Sequence, residues 1–401
     1  MVTKTETTEA PEKKAKSGEG LQRIPFPFVA IIGQERMKLA LILNAINPQI
    51  GGVLIRGERG TGKTIAVRGL ADVLPLIKAV SDCRFHCNPD DPSEMCVTCR
   101  ERFEKGEDLH GEQRKVHIAE LPIGATEDRA IGTLNIEKAI KEGIKALDLG
   151  ILADANRGIL YVDNINLLDD HVVDILLDSA AMGVNVVERE GISVSHPAKF
   201  ILFGTMNPEE GELRPQLHDR LALQVAAFTV NDLKSRVQIV KYAEEYENNP
   251  EAFRKKFEKE TKELTAKIEA ARKFLPSVEI PADFLRIIAR ISTELDVDGH
   301  RPDIIVVRTA MTHAAFEGRK MVTEDDLRLA AELTLNFRMR RTPFEEATLG
   351  TSKFQQVLDH AKQMEEQAKQ RKEKLAATRL EAAKKKVVTS AATSKTKSKE
   401  A

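Results

Sequence analysis

The chain has 401 residues and a formal net charge of −1. This length allows two or three domains with cores of their own, and the near-neutral charge points to neither a nucleic-acid nor a membrane partner. No apolar run has the length of a membrane span, and the first 20 residues lack the apolar segment of a secretory signal. We therefore expect a cytoplasmic protein.

The N-terminus and the first folded segment differ sharply in composition. Residues 1–22 are rich in Lys, Glu, Thr and Ser, and they are predicted to form a disordered tail. An apolar and proline-containing segment then opens a predicted core domain at residues 23–228. Its first predicted helix runs from Met37 to Ala45.

A phosphate-binding motif follows the first predicted strand. Residues 53–55 form a short apolar run, residues 65–74 favour a helix, and the pattern G-x-x-x-x-G-K-T stands between them. Its glycines allow a tight turn that directs backbone N–H groups at a phosphate beside the helix N-terminus. Lys63 suits the β- and γ-phosphates, and the Thr64 hydroxyl suits Mg²⁺. We predict ATP and Mg²⁺ as cofactors, bound through Gly57, Glu58, Arg59, Gly60, Thr61, Gly62, Lys63 and Thr64.

All the cysteines of the chain lie in one insert, residues 83–99, as Cys83, Cys87, Cys96 and Cys99. Two pairs with turn-like spacing can converge on one tetrahedral ion such as Zn²⁺. The eight-residue spacer is short for a zinc ribbon, an iron–sulfur cluster uses the same ligands, His86 could replace one sulfur, and four unligated thiols are a further alternative. No neighbouring group offers catalysis, so we predict a structural Zn²⁺ site.

A second strand presents a carboxylate. Residues 159–162 are apolar and run into Asp163, the pattern of a buried strand that offers an Mg²⁺ ligand at its end. The next residue is Asn164, where ATPases of this general kind usually carry a glutamate that activates water. An amide can orient water but cannot accept its proton. Hydrolysis is then slow, or another carboxylate substitutes, or the residue was deliberately changed.

Polar residues also follow the next buried strand. Residues 200–206 end at Asn207, whose amide suits the attacking water or the γ-phosphate. The segment 212–221 carries arginines that could reach the phosphate of a neighbouring subunit. Helical periodicity then predicts a separate all-helical domain at 229–345. One predicted helix runs over 249–274, Arg301 opens another, and Thr323 with Asp326 forms a capping signal for the last. Residues 346–401 are predicted to be helical at first and then a disordered, Lys-rich tail.

Several of these motifs together resemble the AAA+ ATPase subunit of magnesium chelatase and its close cobaltochelatase relative. The likeness covers roughly residues 24–345. It is carried by residues 28–34, 57–64, Ala-Thr-Glu-Asp-Arg at 125–129, Gly-Thr-Leu at 132–134, Ala-Asn-Arg-Gly-Ile-Leu-Tyr-Val-Asp at 155–163, 187–191 and Asn-Pro-Glu-Glu-Gly-Glu-Leu-Arg-Pro-Gln-Leu at 207–217.

The resemblance implies an α/β fold: an AAA+ P-loop parallel sheet with flanking helices, followed by a separate all-helical lid domain. It implies a helix-2 insert at 126–145 and a pre-sensor-1 hairpin at 186–199. Asn207 would be sensor 1 and Arg220 an arginine finger acting in trans. Arg301 would be the sensor-2 arginine, with Arg308 as the second choice.

The resemblance also implies a function. The chain would be the ATP-hydrolysing motor of a metal chelatase, an ATP-dependent ligase that forms nitrogen–metal bonds, and would assemble into a homo-oligomeric ring, a hexamer. Its partners would be a homologous ATPase-like subunit with an integrin-like domain and a large porphyrin-binding subunit, which inserts Mg²⁺ into protoporphyrin IX in chlorophyll and bacteriochlorophyll synthesis.

Three alternatives stay open. The chain could serve a cobaltochelatase of cobalamin synthesis, or act as a nucleotide-gated scaffold with weak hydrolysis because of Asn164. It could also be an ATPase of the same superfamily with another target, such as a von Willebrand-type protein pair or DNA.

Overall fold

The computed structural model describes residues 24–134, 147–189, 192–297, 299–336, 338, 356–368, 370, 371 and 374. The predicted N-terminal tail, residues 135–145 of the predicted helix-2 insert and most of the predicted C-terminal tail lie outside the described residues.

A parallel five-stranded sheet forms the centre of the first domain. Its strand order is β11-β1-β10-β7-β4, and every pairing is parallel. The carboxyl ends of all five strands therefore meet at one edge, which is where open α/β sheets bind their ligands. The strands are β1 (Val53–Arg56), β4 (Ile118–Leu121), β7 (Ile159–Val162), β10 (Ile201–Met206) and β11 (Leu223–Ala226).

Helices cover both faces of this sheet, because successive strand residues point to opposite faces. On one face, Val53 and Ile55 pack with residues of α1 (Glu35–Ile46) and α2 (Lys63–Leu70). On the other, Leu54 packs with residues of α5 (Ile151–Asp154) and α6 (Asp170–Met182). The other described α-helices of the domain are α3 (Val97–Glu104), α4 (Glu127–Ile131) and α7 (Pro215–Arg220).

Within the described part of the chain, three antiparallel strand pairs are inserted into this framework. β2 (Ile77–Val80) pairs with β3 (Gly111–Arg114), and the cysteine segment lies between them. β5 (Gly132–Leu134) pairs with β6 (Leu147–Leu149) at the base of the predicted helix-2 insert. β8 (Val184–Arg189) and β9 (Ile192–Pro197) form a hairpin at the predicted pre-sensor-1 position.

The second domain is all-helical, as predicted. The sequence pattern indicated one helix over 249–274, but Phe257 separates α9 from α10. Thr323 and Asp326 form the predicted capping box. The described helices are α8 (Leu233–Asn248), α9 (Pro250–Lys256), α10 (Glu258–Phe274), α11 (Ala282–Glu294), α12 (Arg301–Phe316) and α13 (Glu324–Leu335).

A further helix, α14 at residues 356–368, belongs to the same core. The predictions assigned these residues to a C-terminal tail, but Leu358 and Ala361 are fully buried among residues of the helical domain. Glu365 also accepts a hydrogen bond from Arg286 on α11 at 2.9 Å. Two apolar residues three positions apart form one helix face, which explains why this part of the chain packs.

Among the described residues, no helix combines the length and the apolar composition that crossing a membrane requires.

Candidate active site

The phosphate-binding loop joins the end of β1 to the start of α2. Gly60 and Gly62 have φ of +79° and +83°, the left-handed region that glycine adopts without strain. Gly57 is required for a different reason, since a Cβ atom there would lie 2.3 Å from the carbonyl oxygen of Ala227. This local geometry explains the glycine spacing of the motif and leaves the N-terminus of α2 facing the loop.

Lys63 lies inside this loop with 9% of its surface exposed. Its Nζ donates hydrogen bonds of 2.7 Å to the carbonyl oxygens of Gly57 and Glu58. Burial lowers the pKa of Lys63, while the carboxylates of Asp163 and Glu210 oppose that shift. The ammonium group is thus positioned where phosphate oxygens would meet the loop.

The oxygens that suit Mg²⁺ are connected by a tyrosine. Tyr161 is buried on β7, and its hydroxyl donates to Asp163 Oδ1 at 3.0 Å. The hydroxyl therefore accepts from Thr64 Oγ1, at 2.9 Å. Thr205 on β10 donates to the same Asp163 oxygen. A hydroxyl and a carboxylate are the ligand types of Mg²⁺, so the predicted pair Thr64 and Asp163 fits the ion.

Sequence reasoning missed the roles of Tyr161 and Thr205. Burial raises the pKa of Tyr161 to about 12, so its hydroxyl stays protonated and can donate at neutral pH. The available signal was one hydroxyl-bearing residue within each apolar strand, shortly before its polar end. Which hydroxyl faces which carboxylate depends on the strand order.

Asn164 follows Asp163 in a left-handed backbone conformation, with φ 45° and ψ 58°. Asparagine tolerates this region better than most residues. Its N–H donates to Thr205 Oγ1 at 3.0 Å, and the residue is half-buried. The position thus offers an amide, without a carboxylate, directly beside the candidate Mg²⁺ ligand.

Asn207 marks the end of β10 at the same sheet edge and is buried. Its Oδ1 accepts from the N–H of Glu209 at 3.3 Å, and its Nδ2 lies 3.4 Å from Glu209 Oε2. Glu210 pairs with Arg59 of the phosphate-binding loop, with Arg59 Nε 3.2 Å from Glu210 Oε1. Two carboxylates not predicted as site residues therefore lie close to the loop; the signal was the Glu-Glu pair that follows Asn-Pro.

The three predicted arginines occupy different parts of the structure. The carbonyl oxygen of Arg220 accepts from the N–H of Gly52 at 3.0 Å, just before β1, whereas the phosphate-binding loop follows the other end of that strand. Arg301 opens α12 and is exposed. Arg308, on the same helix, donates to the carbonyl oxygen of Gln49, which attaches the helical domain to the first domain.

The four cysteines converge. Their Sγ atoms all lie within 4.8 Å of one another, and all four residues are buried and free of disulfides. The Sγ atoms of Cys83 and Cys96 are 3.9 Å apart, close to the edge of about 3.8 Å that a tetrahedron with metal–sulfur bonds near 2.3 Å requires. His86 is not part of this set; its Nδ1 lies 3.1 Å from Arg114 Nη1.

The thiols influence one another electrostatically. Hydrogen bonds from the Cys87 and Cys96 thiols lower the pKa of Cys83, and burial raises the pKa of Cys99. One sulfur is thus favoured as a thiolate, which is the form that binds a metal ion.

Comparison with known proteins identifies the family. A magnesium-chelatase subunit ChlI homolog of Methanocaldococcus jannaschii is 56% identical over 338 residues, which cover 84% of this chain and 92% of that protein. The chain belongs to the ChlI family. Magnesium-chelatase subunits ChlI of Nostoc sp. and, from the chloroplast, of Chlamydomonas reinhardtii are each 51% identical, over 84% and 86% of this chain and 90% and 84% of theirs.

Two family models match parts of this ChlI-family chain. Residues 135–227 match the model of magnesium chelatase, subunit ChlI, and residues 285–358 match the AAA lid domain. The family resemblance and the AAA+ fold with its helical lid, both predicted from the motifs, are confirmed.

One solved structure supports the fold. A candidate ATPase of Cytophaga hutchinsonii is 17% identical with a TM-score of 0.53, over 83% of this chain and 90% of that one. The chain is also similar to a reconstruction of magnesium-chelatase subunits BchI and BchD, with 42% identity and a TM-score of 0.46, over 80% of this chain and 98% of that one.

Proposed function

We propose that the chain hydrolyses ATP as the motor subunit of a magnesium chelatase, in which a separate subunit inserts Mg²⁺ into protoporphyrin IX. The observation that carries this proposal is the meeting of Lys63, Thr64 and Asp163 at one sheet edge in a chain of the ChlI family. The relatives are named as subunits of magnesium chelatase, which agrees with a reaction that needs more than one kind of chain.

Each residue of the site would have its own role in phosphoryl transfer. The N–H groups of the loop and Lys63 would bind the phosphates, and Thr64 and Asp163 would hold Mg²⁺. The ion would supply positive charge that offsets the charge of the phosphates. Tyr161 and Thr205 keep the Asp163 carboxylate oriented through the two hydrogen bonds they donate to it.

Activation of the attacking water is where this chain departs from the expected pattern. Asn164 and Asn207 can orient a water molecule but cannot take its proton. Of the two carboxylates near the loop, Glu210 forms an ion pair with Arg59, whereas Glu209 Oε2 lies 3.4 Å from the neutral amide of Asn207. Pairing with a cation weakens a base, so Glu209 is the stronger candidate for a proton acceptor. We expect hydrolysis slower than a glutamate at position 164 would give.

Asn164 also favours a second candidate function, a nucleotide-gated scaffold. In that case bound ATP would hold the assembly together, and turnover by this chain would hardly matter. The scaffold requires the same phosphate loop, so only a comparison of binding with hydrolysis separates the two functions.

The position of Arg220 supports a ring in which each subunit completes its neighbour's site. The N–H of Gly52 bonds to the Arg220 backbone, and Gly57 lies five residue steps further along the strand; at about 3.3 Å per step this is roughly 16 Å. That exceeds the length of an arginine side chain, so Arg220 would act on the nucleotide of an adjacent copy. Arg301, exposed at the start of α12, would contact the nucleotide from the lid.

The proposed assembly is a homo-oligomeric ring, a hexamer, with a homologous ATPase-like subunit that carries an integrin-like domain and a large porphyrin-binding subunit. A cobaltochelatase would use the same motor with another metal and tetrapyrrole, so the choice between them rests on the partner subunits.

The four cysteines would bind one Zn²⁺. All six sulfur–sulfur separations fit within 4.8 Å, the scale of a single tetrahedral ion. In an iron–sulfur cluster the cysteines bind different iron atoms, which holds their sulfurs farther apart. No described residue makes the site open to substrate chemistry, since all four ligands are buried, so the ion would be structural.

Reconstitution tests the main proposal. The chain is mixed with its cognate partner subunits, protoporphyrin IX, Mg²⁺ and ATP, and metal insertion is followed by porphyrin fluorescence, with Lys63→Ala as the control variant. We expect insertion with the unchanged chain and none with the variant. Equal insertion without this chain would refute the proposal, insertion sustained by a non-hydrolysable ATP analogue would favour the scaffold, and insertion of Co²⁺ alone would favour the cobaltochelatase.

A further inference from the structure

The turn between the first two cysteines presents two backbone carbonyl groups to the rest of the domain. Phe85 and His86 lie between Cys83 and Cys87, and His86 has a left-handed φ of 52°. The N–H of Phe85 lies 3.4 Å from Cys83 Sγ, and the N–H of Cys96 lies 3.1 Å from Cys87 Sγ. Amide-to-sulfur bonds of this kind orient cysteine ligands around a metal, so the same sulfurs control the shape of this turn.

The turn contacts the residues that precede β7, the strand that ends at Asp163. The carbonyl oxygen of Phe85 accepts from Asn156 Nδ2 at 2.6 Å. The carbonyl oxygen of His86 accepts from Arg157 Nη1 at 2.9 Å. Asn156 is 2% exposed, and a buried amide that lost its partner would destabilise this segment.

The turn also contacts the base of the β8–β9 hairpin. The Phe85 ring stacks on the imidazole of His196, with 5.1 Å between ring centroids and 21° between planes. His196 is buried on β9, and its Nε2 lies 3.0 Å from Asn185 Nδ2 on β8. Asn185 in turn donates to the carbonyl oxygen of Ile131 at 3.1 Å, within the predicted helix-2 insert. The Phe85 ring thus contacts β9 directly at His196, and His196 connects it to Asn185 on β8.

Glu94 makes a third set of contacts between the cysteine segment and the rest of the domain. Glu94, on the other side of the cysteine segment, lies 3.6 Å from Arg157 and 3.4 Å from Lys199. The N–H of Lys199 donates to Asn156 Oδ1 at 2.9 Å. A cavity of about 440 Å³, lined by residues of both the cysteine segment and the hairpin, lies beside these contacts. The cysteine segment and the hairpin region therefore contact each other through a few defined side chains rather than through a continuous packed surface.

We propose that the cysteine segment is a metal-dependent clamp that positions the hairpin relative to the Asp163 strand. This inference rests on the Zn²⁺ site proposed above. A metal ion bound by Cys83 and Cys87 would fix the turn, and Phe85 would pass that constraint to His196 and Asn156. Phe85 is thus a positioning residue whose effect on the hairpin requires no contact with nucleotide.

Hydrogen–deuterium exchange of the full chain tests the clamp without any need for activity. Three samples are compared with the zinc-loaded chain: the chain stripped by a chelator, the variant Phe85→Leu, and the control Phe103→Leu, which changes an exposed aromatic residue of α3 in the same segment. The metal content of each sample is measured, together with its binding of a fluorescent ATP analogue.

We expect exchange roughly tenfold faster at the amides of β8 and β9 in the stripped chain and in Phe85→Leu. Phe85→Leu should retain one zinc ion per chain and full nucleotide binding, and Phe103→Leu should match the unchanged chain. If the chain binds no Zn²⁺, the zinc proposal fails and metal control of the hairpin fails with it. If zinc binds but neither stripping nor Phe85→Leu alters exchange of the hairpin, the clamp alone is refuted. Nucleotide binding in every sample reports on the ATPase proposal separately.

Discussion

Replacing Asn164 with glutamate has two predicted effects of opposite sign. The new carboxylate can accept the proton of the attacking water, a contribution of about 10²- to 10⁴-fold to the rate, or roughly 3–5 kcal/mol in the barrier. The backbone at this position is left-handed, with φ 45°, where a residue other than glycine, asparagine or aspartate costs about 1 kcal/mol. We therefore expect faster hydrolysis and a Tm lower by a few degrees.

Steady-state ATP turnover in Mg²⁺, measured beside fluorescent nucleotide binding and thermal unfolding, checks both effects. Asn164→Gln is the matched control, since it has the length of glutamate and the same backbone cost but no proton acceptor. The contact of the Asn164 N–H with Thr205 is made by the backbone, so it survives both substitutions. We expect equal losses of Tm in the two variants and a large rate increase only in Asn164→Glu.

Equal turnover by the two variants, with nucleotide binding unchanged, would refute this reasoning. Another group would then activate the water, and Glu209→Gln would be the next variant to test. A large increase would instead show that the site is otherwise complete and that the asparagine limits its rate.

Three further predictions concern other parts of the chain. Tyr161→Phe should raise the Mg²⁺ concentration needed for half-maximal turnover about fivefold, because the hydrogen bond of roughly 1 kcal/mol that orients the Asp163 carboxylate is lost, and should leave Mg²⁺-free nucleotide binding unchanged. Arg220→Ala and Lys63→Ala should each be inactive alone but regain part of their turnover when mixed, because each lacks a different half of a shared site. Asp326→Asn should lower the free energy of unfolding in urea by about 3 kcal/mol, whereas the exposed Asp325→Asn should change it little.

The role of Asp326 also predicts how the stability of the folded chain depends on pH. Burial alone would raise the pKa of Asp326, but hydrogen bonds from Arg319, His313 and Thr323 hold it well below its ordinary value. The stabilisation is therefore fully present above the unfolded value near 4 and declines as the pH falls below it. In Asp326→Asn that decline should be smaller.

Each of these predictions has a contradicting result. An unchanged Mg²⁺ requirement in Tyr161→Phe would show that its hydroxyl does not position the magnesium ligands. Failure of the mixed arginine and lysine variants to recover turnover would argue that Arg220 does not act in trans. Equal unfolding of the two aspartate variants would show that the buried ion pairs of Asp326 contribute little to the helical domain.

Much of the site was predictable from local sequence, because its requirements are local. The left-handed turns at Gly60 and Gly62, the lysine after them and the carboxylate at the end of an apolar strand are properties of short segments. The capping box of Thr323 and Asp326 is local in the same way. Parallel strands bring their ends to one edge, so the meeting of Lys63 and Asp163 followed from the motifs.

The remaining contacts depend on which strands are neighbours and at what register. Tyr161 faces Thr64, and Thr205 faces Asp163, because β7 pairs with β10 and β10 with β1. The packing of Leu358 in the lid, the position of Arg220 at the far end of β1 and the stacking of Phe85 on His196 also join residues distant in sequence. Periodicity and motif spacing indicate the backbone conformation of one segment and which of its faces is buried. Tertiary packing decides which side chains from distant segments become partners.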